Sequence, residues 1–108
     1  MSYCDLYTNQ IREIITKIEF SLKGKTEQDF VKSDVLKDAT LMRLQAIGEL
    51  VKKIPLEIKK KNKEIKWKKF ESLRNVISHQ YMDVKYGLIW NFIKNNLNEL
   101  KQALSKIK

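Results

Sequence analysis

Eight consecutive residues, Arg74-Asn75-Val76-Ile77-Ser78-His79-Gln80-Tyr81, bring a guanidinium, an amide, an imidazole and a phenol into one short stretch. Imidazole exchanges protons near neutral pH, its unperturbed pKa being about 6.5. Arginine keeps its charge and meets phosphate oxygens through a bidentate fork. Such a pair suits RNA cleavage without a metal: the ribose 2′-OH attacks its own phosphate, which requires a base, an acid and a cation but no external nucleophile. On a helix of about 100° per residue, Arg74 and His79 stand about 140° apart, whereas Asn75 and His79 are i, i+4 neighbours on one face. Arg74 and His79 therefore converge only if the helix ends near His79 or if the long arginine reaches round into a cleft. Asn75 is placed to orient the imidazole and fix its tautomer. A hydrogen-bonded, inert histidine at a helix end fits the same spacing, and these residues alone leave both readings open.

His79 is the one histidine among 108 residues, and Cys4 is the one cysteine. That rules out an intramolecular disulfide and leaves too few soft ligands for a structural zinc site within one chain. No metal site and no cofactor is expected. The three glycines, Gly24, Gly48 and Gly87, stand too far apart for a phosphate loop or a dinucleotide fingerprint. A single histidine is also a thin supply for acid and base together. A two-fold dimer brings two Arg74 and two His79 to one groove, and two-fold dimers are the commonest oligomers. Nothing near Cys4 lowers its pKa, so it is given no role.

Twenty-two Lys and Arg against thirteen Asp and Glu leave a net charge of +9, and most of it is local. Nine lysines fall between Lys52 and Lys69, against only Glu57 and Glu64. A cluster of this density attracts polyanions through counterion release; it also suits a solvated loop of no specific use. An anionic membrane fits less well, because EIKKKNKEIKWKK has little apolar surface on an opposite face. Lys66, Lys68 and Lys69 are the better candidates for RNA contacts, since they share the helix that delivers Arg74.

The elements that position these groups read as helices. One proline and three glycines provide almost none of the punctuation an all-β fold requires. Apolar residues recur at helical spacing through Tyr3, Tyr7, Ile11, Ile14 and Ile18, predicting a helix from Tyr3 to about Lys23 that Gly24 stops. KTEQDFVKSD reads as a polar connector. A second helix spans about Asp34 to Lys53, capped by Ser33 or Asp34 and closed by Pro55. A third covers about Lys66 to Ser78, presenting Trp67, Phe70, Leu73 and Ile77 as packing rather than as base-stacking platforms. A fourth starts near Lys85 and carries Ile89, Ile93, Leu97, Leu100, Leu104 and Ile107 on one face, with Trp90 and Phe92 also packing. The expectation is a single all-α domain over residues 1–108, an up-and-down bundle of about four to five helices. The longest apolar run, Leu88-Ile89-Trp90, is far too short to cross a bilayer. MSYCDLYTNQ lacks the basic and apolar regions of a secretory signal, so a cytoplasmic protein is expected.

The spelling R-x4-H-x-Y in RNVISHQY resembles the signature of the HepT-like toxins of the HEPN superfamily, partners of MNT nucleotidyltransferase antitoxins. RLQAIGEL, from Arg43 to Leu50, resembles the family's IGE-containing helix, Trp67 precedes the motif at a similar distance, and LIWNFIKNNLNELKQAL resembles its last helix. The resemblance implies a helical homodimer that acts as a metal-independent endoribonuclease with its site between protomers. It implies Arg74 and His79 as the catalytic pair, Asn75 as the polar residue beside the arginine, and Tyr81 as the tyrosine that the antitoxin modifies with AMP. Glu49, in the IGE block, is a possible supporting residue near Arg74 or the dimer seam. The other reading of the same sequence is a non-catalytic substrate-binding or regulatory subunit of a nucleotidyltransferase complex.

Overall fold

The computed structural model describes residues 3–73, 77 and 84–107. Helix α1 (Tyr3–Leu22) exists because Ile11, Ile15, Ile18 and Leu22 fall on one side and are sealed from solvent. Each such burial contributes about 1.5–3 kcal/mol, against at most about 0.7 kcal/mol of intrinsic preference per residue, so the apolar face places the helix. Gly24 ends the turn with φ 75°, a left-handed conformation that side chains disfavour.

The stretch expected to be a polar connector forms a helix of its own, α2 (Glu27–Lys32). Thr26 starts it with a reciprocal cap: its Oγ1 accepts from the Asp29 backbone N–H at 3.1 Å, and Asp29 Oδ2 accepts from the Thr26 N–H at 2.9 Å. Hydrogen bonds from the Thr26 backbone, and then from its side chain, hold the Asp29 carboxyl below the usual carboxylate range. Ser33 ends α2 and caps the next helix, its Oγ accepting from the Leu36 N–H at 3.1 Å.

Helix α3 (Asp34–Lys53) buries Thr40, Leu41, Leu44, Ile47, Gly48 and Val51. It lies antiparallel to α1: Arg43 donates to Ser21 Oγ at 2.9 Å near one end, and the Lys53 ammonium sits 5.8 Å from the Tyr7 ring centroid near the other. Pro55 stops α3 and opens α4 (Leu56–Lys61), a second helix in a stretch that the sequence presents only as lysine-rich. Helix α5 (Trp67–Glu71) opens the helix expected from Lys66 to Ser78; Ser72 makes a turn in it, Leu73 and Ile77 beyond the turn are helical and buried, and the rest of that stretch lies outside the described residues.

The last rod begins at the expected place. Helix α6 (Tyr86–Phe92) runs into a π-helical turn (Ile93–Leu97) and then α7 (Asn98–Ser105). Ile93 and Leu97, at the two ends of the wider turn, are buried in the core together with Leu100 and Leu104. α7 returns along α1, tied by Lys101 Nζ to Glu19 Oε1 at 2.9 Å. Phe30 of α2 packs on Tyr86 and Trp90 with ring centroids 6.0 and 5.6 Å apart, and Phe70 of α5 meets Phe92 at 5.5 Å. The described residues are therefore an all-helical bundle around one apolar core, as expected, with more helices than the strongest periodicities announce. Among them no helix is long and apolar enough to cross a membrane.

Candidate functional site

Arg74, Asn75, His79 and Tyr81 lie outside the described residues. Of the residues around them in sequence, Leu73, Ile77 and Val84 are described. Leu73 and Ile77 are buried, and Ile77 shares a recess of about 240 Å³ with Asp38, Leu41, Met42 and Gln45 of α3. Asp38, Met42, Gln45 and Glu49 follow one another at spacings of four, three and four, so they occupy one side of α3. Ile77, two positions before His79 in sequence, thus packs on the side of α3 that carries Glu49. Glu49 is half-buried and its Oε1 is shielded from solvent. A shielded carboxylate is the kind of group that orients a guanidinium or an imidazole. Sequence reasoning singled out Glu49; Gln45 and Asp38 share its side of α3 at helical spacing.

Lys66, Lys68 and Lys69 are all exposed, at the start of α5 and along it. They line an open groove of about 440 Å³ together with Lys59, Lys60 and Lys63 from α4 and the segment after it. Trp67 forms its floor and is 7% exposed. Its indole N–H donates to the backbone oxygens of Asn62 and Lys59 at 3.0 and 3.2 Å. This bears out packing, rather than base stacking, as the role of Trp67. The lysines are not equivalent. Lys59 is turned inward, pairing with Glu71 and lying 6.0 Å from the Trp67 ring centroid. Lys69 leans over the Phe92 ring at 5.7 Å.

The lysine-lined face of this all-helical bundle leads in sequence into the R-x4-H-x-Y stretch. The chain belongs to the HepT-like family: the family model described as Ribonuclease HepT-like matches residues 11–107. It is 39% identical over 102 residues to "Gamma-glutamylcyclotransferase and putative RNase MJ0434" of Methanocaldococcus jannaschii, a match that covers 94% of this chain and 46% of that protein. It is 34% identical over 100 residues to "Putative RNase TTE0752" of Caldanaerobacter subterraneus subsp. tengcongensis, covering 90% of this chain and 89% of the other. The chain thus spans about half of the first relative and nearly all of the second. No solved structure matches it.

Proposed function

We propose that this chain is the endoribonuclease toxin of an MNT/HEPN toxin–antitoxin pair, working in the cytoplasm as a homodimer and silenced by a nucleotidyltransferase partner. The observation that carries the reading is family membership across residues 11–107, a span that includes an intact R-x4-H-x-Y motif. In the proposed reaction O2′ attacks phosphorus while a His79 imidazole takes its proton. The P–O5′ bond breaks and a second imidazole, supplied by the partner protomer, returns a proton to O5′. Arg74 stabilises the charge that builds on the phosphoryl oxygens. Asn75 orients the imidazole, and Glu49 supports the pair from α3. The test is incubation of the purified chain with RNA in excess chelator. Cleavage to 2′,3′-cyclic phosphate and 5′-OH ends is expected, whereas a purely regulatory subunit leaves the RNA whole.

Two features of α3 support self-association. Val35 and Met42 are 79% and 73% exposed, and they stand on the side of the helix that also bears Gln45 and Glu49. Light scattering should give twice the 12.8 kDa chain mass across the micromolar range. A persistent monomer with full activity would remove the shared cleft.

Control is assigned to Tyr81. A transferred AMP adds bulk and negative charge two residues from His79, where RNA phosphate has to bind. Tyr81→Phe keeps the ring and removes the acceptor oxygen. This variant should still cut RNA, should gain no AMP mass when incubated with partner and ATP, and should escape inhibition. Equal AMP incorporation into Tyr81→Phe would place the switch elsewhere.

A further inference from the structure

We infer that the groove between α4 and α5 is a docking site for the RNA backbone, one that grips phosphates and does not read bases. The inference rests on the ribonuclease reading for its ligand, and on the fold for its location. In sequence, Lys60 and Lys63 belong to a charge run before the helix that bears Lys66 and Lys68. In space, all four line one groove. All four are exposed, and none of them makes an ion pair or ring contact among the described residues. Among the described residues six lysines and one glutamate line the groove, and that glutamate, Glu71, is already engaged by Lys59. The remaining charge is strongly positive and faces solvent, which suits a polyanion that releases counterions on binding.

The floor explains the lack of base readout. Stacking on single-stranded RNA uses exposed aromatic faces, but Trp67 is buried and its N–H is committed to the backbone of α4 and the following turn. The other apolar lining residue among the described ones, Leu56, offers no π-face. Ammonium groups on long stems then remain as the means of recognition, and they bind phosphate as point charges.

The experiment uses full-length protein carrying His79→Ala, so that RNA is bound but not cut, and a fluorescein-labelled 20-nucleotide single-stranded RNA. Lys60→Gln, Lys63→Gln, Lys66→Gln and Lys68→Gln are combined in one variant. A charge-matched control combines Lys17→Gln, Lys23→Gln, Lys25→Gln and Lys106→Gln, all exposed residues outside the groove. For single strands each lost phosphate contact removes about 0.7 from the slope of log affinity against log salt. Four contacts therefore make the parent's affinity loss between 50 and 200 mM salt about fiftyfold greater than that of the groove variant. The control should keep the parent's slope, and homopolymers of different base should bind the parent alike. Equal loss in groove and control variants, a parent that binds no RNA, or a strong preference for one base overturns the inference. So does a groove variant that keeps its RNA affinity and loses only binding to vesicles rich in phosphatidylserine. Cleavage that fails in the wild type while groove-dependent binding persists would instead overturn the catalytic reading and leave the docking site standing.

Discussion

Arg74→Ala and His79→Ala are each expected to lower kcat for RNA cleavage by at least about 10²-fold, with the melting curve unchanged. Loss of a transition-state charge stabiliser costs about 10²- to 10³-fold, and loss of a positioned acid or base about 10²- to 10⁴-fold. In the proposed reaction the two groups act on one displacement, so the double variant should fall little below the weaker single variant. Chelator should change none of these rates. The readout is the rate of appearance of 2′,3′-cyclic phosphate ends on a defined RNA under saturating substrate. Near-parental kcat in either single variant would remove that residue from the reaction, and a rise in KM alone would make Arg74 a binding residue. The groove lysines are expected to behave in the opposite way, affecting KM and salt dependence with little change in kcat.

Phe30→Ala should be the most damaging single change to the fold. Its side chain is 0% exposed and sits between the Tyr86 and Trp90 rings. Truncating a buried phenylalanine costs about 3–5 kcal/mol, a large share of the roughly 5–15 kcal/mol that holds a domain of this size. At about 4 °C or more per kcal/mol, the melting temperature should fall by at least about 12 °C. Thermal unfolding followed by circular dichroism gives the answer. A drop below about 4 °C would mean that α2 is not an anchor for the last rod.

Phe30 also shows where the sequence was hard to read. It is a lone aromatic in KTEQDFVKSD, with no apolar partner at helical spacing that is comparably buried, so periodicity has nothing to count. The signal lay in local capping: Thr26 and Asp29 stand three apart, the spacing of a helix start. The long helices were legible because each repeats its apolar residues over several turns. α4 was not, since Ile58 is its one partly covered apolar position and lysines supply most of the rest. The π-helical turn in the last rod changes register without changing composition, so the spacing of Ile89, Ile93 and Leu97 reads as ordinary helix. For the proposed site, the residue types at Arg74, His79 and Tyr81 stand in one line of text, outside the described residues. The gathering of Lys60 and Lys63 with Lys66 and Lys68 was not legible there, because it depends on how α4 folds back on Trp67.

That fastening of α4 bears on local stability. The helix has no fully buried residue. Besides the packing of Ile58 on the core, two polar links tie it to the bundle, the indole N–H of Trp67 to the Lys59 backbone oxygen and the Lys59–Glu71 pair. Segments held in this way open at a fraction of the global unfolding free energy, and the amides of the core-lining helices α1 and α3 are expected to be protected up to nearly all of it. Half of the basic groove therefore rides on a small cooperative unit of its own. A bound polyanion that spans α4 and α5 would close that unit, and slower amide exchange in residues 56–61 would report the closure without any change in the core.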